Sequence, residues 1–192
     1  MNQMALDKSN IVAFLADIFE RRGAESYLGE AVTMSEHMLQ GACLAERDGA
    51  PDELIAAALL HDIGHYTSEF GSYSPDDTND KHHDTAGADI LRPFFPPVIT
   101  ECVGLHVAAK RYLCATDHSY AKRLSGASLH TLSLQGGPMS RQEVSAFEEN
   151  PFHEQAVKVR KWDDEGKVPG MATKSFADYA GLLQRIVEDH VA

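Results

Sequence analysis

Apolar residues recur along the chain at three- and four-residue spacing, and no stretch alternates between apolar and polar as a half-buried strand does. The pattern predicts an all-α fold. A first helix is expected to end at Arg22, with Ser9 or Asn10 as its cap and Gly23 after it. Thr33-Met34-Ser35-Glu36 has the spacing of a capping box and opens a second helix, which carries His37 and runs past Leu44 to a stop at Gly49. Pro51, Asp52 and Glu53 suit the first turn of a third helix. Positions 54–63 of that helix are apolar nearly all round, which places them in a core with His61 and Asp62 at the C-terminal end. Residues 66–81 are rich in Gly, Ser, Asp and Asn and read as a long loop, a feature usually tied to function; its Phe70 and Tyr73 are candidates for a lid. Helical patterning resumes over 83–91, is broken by Pro93, Pro96 and Pro97, and returns over 98–112, 120–134, 140–149, 151–162 and 175–191. No repeat or linker divides the chain, so residues 1–192 are expected to form a single helical domain.

Composition narrows the function classes. A chain of 192 residues with 43% hydrophobic content can bury a core without disulfides, and its three cysteines, in no C-x-x-C arrangement, suit a reducing, cytoplasmic setting. Its apolar runs fall far short of the roughly 20 residues that a membrane helix needs, and no basic-then-apolar leader opens it. A net charge of −12 repels nucleic-acid phosphates, so an anionic ligand must be met by a local cationic pocket. The oligomeric state is left open. Ten histidines stand out.

The informative string is Leu59-Leu60-His61-Asp62-Ile63-Gly64-His65, an adjacent His-Asp pair at the end of an apolar helix. A buried carboxylate beside an imidazole is costly unless a cation compensates it, and a metal ion is the simplest such cation. His37, His83, His106 and Asp163 are the further donors, drawn from separate elements. A set of nitrogen and oxygen donors without thiolate argues against a structural zinc site and suits iron or manganese. His82 adjoins His83, and the Asp-Thr-Ala-Gly-Ala-Asp that follows favours His83 of the two. His65 is either a pocket residue or an ordinary helix-end histidine. Lys110 lies four residues after His106 and Arg160 three before Asp163, so each shares a helix face with a candidate ligand. Spacing alone leaves open whether these cations clamp an anion or pair with acids. Gln135, before Gly-Gly-Pro, reads by itself as an ordinary turn residue. His118, His130, His153 and His190 read as surface or helix-end residues, and Tyr66, Trp162, Phe94 and Phe95 as packing.

The pattern of His37, His61-Asp62 and Asp163 resembles the H…HD…D signature of the HD-domain superfamily. More specifically, the strings His106-Val107-Ala108-Ala109-Lys110-Arg111-Tyr112 and Gln135-Gly136-Gly137-Pro138-Met139 resemble its diiron oxygenase branch, the phosphonate-cleaving members above all. That resemblance implies an all-α bundle holding an Fe(II)/Fe(III) pair, with His37, His61, Asp62 and Asp163 on one iron, Asp62, His83 and His106 on the other, and Asp62 as the bridge. It implies a phosphonate pocket of His65, Lys110, Ser128 and Arg160, with Gln135 a weaker member. Tyr27 is implied to gate an open position on iron, and Glu30 to face the amino end of the substrate. A quaternary ammonium there would be met by carboxylate and aromatic faces.

The expected reaction is O2-dependent cleavage of the C–P bond of (1R)-1-hydroxy-2-(trimethylammonio)ethylphosphonate, giving glycine betaine and phosphate. The alternatives are the same reaction on the primary amine, giving glycine, a metal-dependent phosphohydrolase of the same superfamily, and a sensing module without turnover.

Overall fold

A computed structural model describes residues 5–27, 29–67 and 78–190. Phe70 and Tyr73 lie outside the described residues. The fold is all-α. The helices are α1 (Ile11–Arg22), α2 (Met34–Arg47), α3 (Asp52–Leu60), α4 (Gly64–Thr67), α5 (His83–Leu91), α6 (Pro97–Thr116), α7 (Gly126–Leu134), α8 (Arg141–Glu148), α9 (His153–Glu165) and α10 (Phe176–Asp189), with a single turn of 3-10 helix at Tyr120–Arg123. One isolated antiparallel bridge, Ser26 to Thr33, closes the loop before α2.

Local chemistry sets the boundaries. At Thr33 the side chain accepts the Glu36 amide at 3.2 Å while the Glu36 carboxylate accepts the Thr33 amide at 2.7 Å, closing the capping box. Pro97 occupies the first turn of α6, where its missing N–H costs nothing. Three expectations need correction. Asn10 makes no capping bond to α1; its side-chain oxygen instead accepts the Asp7 amide at 2.9 Å. The third helix stops at Leu60, and residues 61–63 turn the chain into the separate α4. The helix expected over 120–134 is interrupted, because Leu124 is extended and Ser125 starts α7 afresh by accepting the Ser128 amide at 3.1 Å.

Helices α2, α3, α6 and α9 pack on one another to form the centre, α5 lies on α6, and α1 pairs with α10 on the outside. Leu15, Met38, Leu59, Leu60, Ile63, Leu91, Ile99 and Leu183 are fully buried in one apolar cluster. Tyr179, Trp162, Phe94 and Phe95 belong to it, and Tyr66 packs against it half-buried. Half of the polar residues buried with them are the expected donors His37, His61, Asp62, His83, His106 and Asp163. Among the described residues, no helix is long and apolar enough to cross a membrane.

The α4–α5 contact positions one of those donors. A side-chain carbon on Gly64 would lie 1.7 Å from the His83 carbonyl oxygen and 2.7 Å from the Gly87 amide nitrogen. Only glycine lets the two backbones approach this closely. Gly64→Ala is therefore expected to destabilise the chain by about 1–3 kcal/mol through overpacking, read as a lowered midpoint of thermal unfolding; an unchanged midpoint would show that α4 can shift freely.

Candidate metal centre

The residues that end α3 meet those on α2, α5, α6 and α9 at one buried point. His37, His61, Asp62, His83, His106 and Asp163 are each at most 9% exposed. The His37 and His61 Nε2 atoms are 3.0 Å apart, and so are the His83 and His106 Nε2 atoms. Between the two pairs stands Asp62. Its Oδ2 is 3.4 Å from both His37 Nε2 and His61 Nε2, while its Oδ1 is 3.4 Å from both His83 Nε2 and His106 Nε2. Asp163 closes the first group, with Oδ1 3.5 Å from His37 Nε2 and Oδ2 3.9 Å from His61 Nε2.

Three of the imidazoles have fixed tautomers. His37 Nδ1 donates to the Gly166 carbonyl at 2.8 Å, His61 Nδ1 to Ala58 at 2.8 Å and His106 Nδ1 to Val103 at 2.7 Å. A carbonyl only accepts, so Nδ1 carries the proton and Nε2 presents a lone pair. Nε2 atoms of His37, His61 and His106 gathered at this point, with carboxylate oxygens beside them, are suited to a cation at the centre. Ligands at about 2.1 Å from a six-coordinate ion stand about 3.0 Å apart when adjacent, which these separations match. The carbonyl partners are the outer support that metal-ligating histidines ordinarily have. Asp62 Oδ2 and Asp163 Oδ1 have no hydrogen-bond partner among the described residues, as expected of oxygens reserved for an ion. His37, His61 and Asp62 thus form one donor group suited to a metal, with Asp163 in reach of it, and Asp62, His83 and His106 form a second.

The electrostatics agree. Burial works to raise the Asp62 carboxyl, yet His61, His106 and His37 hold it well below the usual carboxylate range. Burial opposes the charged form of His61 as well, but the Asp62 and Asp163 carboxylates lift it to about 9, so in the absence of metal this group holds a proton that an ion would displace. Burial keeps His37 and His83 below the ordinary histidine range, and thus neutral. The backbone sends His82 and His83 in different directions. His82 adopts φ 50°, ψ 39° as the residue before α5 and turns its side chain outward towards Asp80, while His83 points inward.

A cavity opens beside the donors. It is lined by Tyr27, His65, Lys110, Ser128, Gln135 and Arg160, all expected, and also by Asp80 and Thr131, which the sequence reading did not single out. Glu30 is not among the described residues that line it; it is half-buried, with Oε1 lacking a hydrogen-bond partner among them. Tyr27 stacks on His37 with ring centroids 3.8 Å apart, and His65 on His83 at 4.1 Å.

The two expected cations are used differently. Arg160 pairs with Asp163 Oδ2 at 2.7 Å and with Asp164, and its Nε donates to the Tyr120 hydroxyl at 3.1 Å. Lys110 donates to Thr131 Oγ1 at 2.9 Å, a neutral partner. Burial first, and then Arg160, push the Lys110 ammonium down to about 7.

Residues 34–133 match the HD domain, and the chain belongs to the HD-domain family. It is 57% identical over 186 residues, 97% of this chain and 95% of the relative, to a [1-hydroxy-2-(trimethylamino)ethyl]phosphonate dioxygenase (glycine-betaine-forming) of Leisingera caerulea. It is 44% identical over 178 residues, 92% and 88% of the two chains, to a hydroxymethylphosphonate dioxygenase of Gimesia maris. An uncharacterized protein, L432, of Acanthamoeba polyphaga mimivirus is 34% identical over 176 residues, 88% and 78%.

Two outcomes follow from the geometry. His106→Ala is expected to lower bound metal from about two ions per chain to about one while the far-UV circular dichroism is retained; full metal content in that variant would remove the second donor group. In metal-free protein the Lys110 side chain, followed by NMR, is expected to titrate near pH 7, charged below it and neutral above; a midpoint near pH 10 would place it in solvent.

Proposed function

We propose that this chain is a diiron dioxygenase that cleaves the C–P bond of 1-hydroxy-2-(trimethylammonio)ethylphosphonate, giving glycine betaine and phosphate. The observation that carries the reading is the division of Asp62, one oxygen towards each pair of histidines, in a chain 57% identical to a dioxygenase named for that substrate. His37, His61, Asp62 and Asp163 would hold one iron and Asp62, His83 and His106 the other, as an Fe(II)/Fe(III) pair. Bound there, the pair supplies O2 activation and a Lewis-acidic seat for the hydroxyl and phosphonate oxygens. The reaction balances with one O2: the C1–H and C1–P bonds break, C1 and phosphorus each gain an oxygen, and a proton is released.

The chain's own residues bind and orient. Lys110 faces the phosphonate, and its neutral Thr131 partner leaves its charge for the anion. His65, Ser128 and Gln135 supply polar contacts around the same group, and Gln135 Oε1 has no hydrogen-bond partner among the described residues. Arg160, engaged with Asp163 and Asp164, contributes its charge from behind them. Tyr27 covers the His37 side of the site as the gating residue, and Glu30 turns its carboxylate to the ammonium end of the substrate. The substrates for which the two dioxygenase relatives are named share a hydroxyl and a phosphonate on one carbon and differ in the ammonium arm, so the metal and phosphonate end serves both and the arm's surroundings set the preference. A reducing cytoplasm suits iron in this state and the free cysteines Cys43, Cys102 and Cys114.

The test incubates iron-loaded protein with the trimethylammonio, the amino and the unsubstituted hydroxyphosphonates, with and without O2, and follows phosphate release. Release is expected only with O2 and most rapidly from the trimethylammonio compound. Equal release without O2 would replace the oxygenase with a hydrolase of the same family, and binding without any turnover would leave a sensing module.

A further inference from the structure

His37 is supported differently from the other two histidines whose tautomers are fixed. His61 Nδ1 donates to Ala58 and His106 Nδ1 to Val103, each a carbonyl three residues back, so the local helical backbone orients both rings. The acceptor for His37 Nδ1 is the Gly166 carbonyl, 129 residues away, where the chain leaves α9. An outer hydrogen bond aims a metal-binding imidazole only as firmly as its acceptor is itself held.

Gln40 holds it. This residue lies one turn after His37 on α2 and is 1% exposed. A primary amide carries both a donor and an acceptor. Gln40 Nε2 donates to the Val168 carbonyl at 2.8 Å, and Gln40 Oε1 accepts the Val168 amide at 2.9 Å, so the side chain pairs with Val168 as a neighbouring strand would. Val168 itself is 51% exposed, and apolar packing of its side chain contributes little to holding the segment. The backbones are brought close: a side-chain carbon on Gly166 would lie 3.1 Å from the His37 carbonyl oxygen and 3.2 Å from the Gly41 amide nitrogen. Asp163 stands three residues before Gly166, so the same clamp ties the helix end that carries Asp163 to the helix that carries His37.

We propose that Gln40 is a positioning residue for one of the two metal sites: by clamping Val168 it fixes the Gly166 carbonyl that aims His37 Nε2 at the ion of the His37, His61, Asp62 and Asp163 group. The inference rests on the reading of these donors as a metal centre. The Asp62, His83 and His106 group takes no part in the clamp.

The test measures zinc binding to the full chain by competition with a chelator, zinc serving as a diamagnetic probe of imidazole and carboxylate donors. Gln40→Met keeps the length of the side chain and removes both bonds. Added to His106→Ala, which leaves the first donor group intact, it is expected to weaken zinc binding about tenfold. Added to His37→Ala, which leaves the second group intact, it is expected to change binding less than twofold. In zinc-loaded Gln40→Met, NMR of the nitrogen-labelled protein is expected to show the His37 Nδ1 proton lost to exchange with water while those of His61 and His106 persist. Unchanged affinity in the His106→Ala background, equal weakening in both backgrounds, or a His37 proton as protected as in the wild type would each overturn the inference. Wild-type protein that bound no zinc would overturn the metal centre itself. Should Gln40→Met fail to fold, Gln40→Asn, one methylene too short to reach Val168, enters the same comparison with the same outcomes.

Discussion

Everything in this molecule is arranged around one carboxylate held out of water. Asp62 is 2% exposed and surrounded by imidazoles, an arrangement that in an apolar interior costs several kcal/mol unless positive charge stands close by. The histidines cannot all supply it, since burial keeps His37 and His83 neutral. The remaining demand is for cations on both sides of the carboxylate, and the side chains are oriented accordingly. The fold answers by ending at Leu60 a helix that is apolar from Leu54 onward, so that the next two residues are delivered to the middle of the bundle rather than to its surface.

Around that centre the positive side chains are sorted by partner. Arg160 is committed to Asp163 and Asp164 and braced by Tyr120, which itself donates to Asp164. Such an arrangement holds Asp163 ionised, and the arginine, always charged, is suited to the task. Lys110, by contrast, is buried beside a neutral hydroxyl and so is poised to gain a proton when an anion arrives. Two cations, each within four residues of a candidate ligand, therefore have different partners, and only those acceptors tell them apart.

This division marks the limit of what could be read from the chain alone. The donors were legible because His-Asp adjacency at the end of an apolar helix has few structural explanations, and the all-α class followed from periodicity. Where helices broke was harder to see. Ser125 begins a new helix inside a segment of unbroken helical patterning, because a cap depends on the extended backbone of Leu124 that no residue type announces. His82 and His83 are chemically identical, and the left-handed turn at the first of them decides which one faces inward.

The donors reach the centre from α2, from the turn after α3, and from α5, α6 and α9, spanning residue 37 to residue 163. No local segment of the chain carries a complete set, so no partly folded intermediate that lacks one of these helices can hold the ions as the native state does. Whatever affinity the centre has for metal is thereby added to the stability of the whole bundle, by mass action on the native state alone. Supply of the ion and persistence of the folded chain are, for this architecture, the same variable.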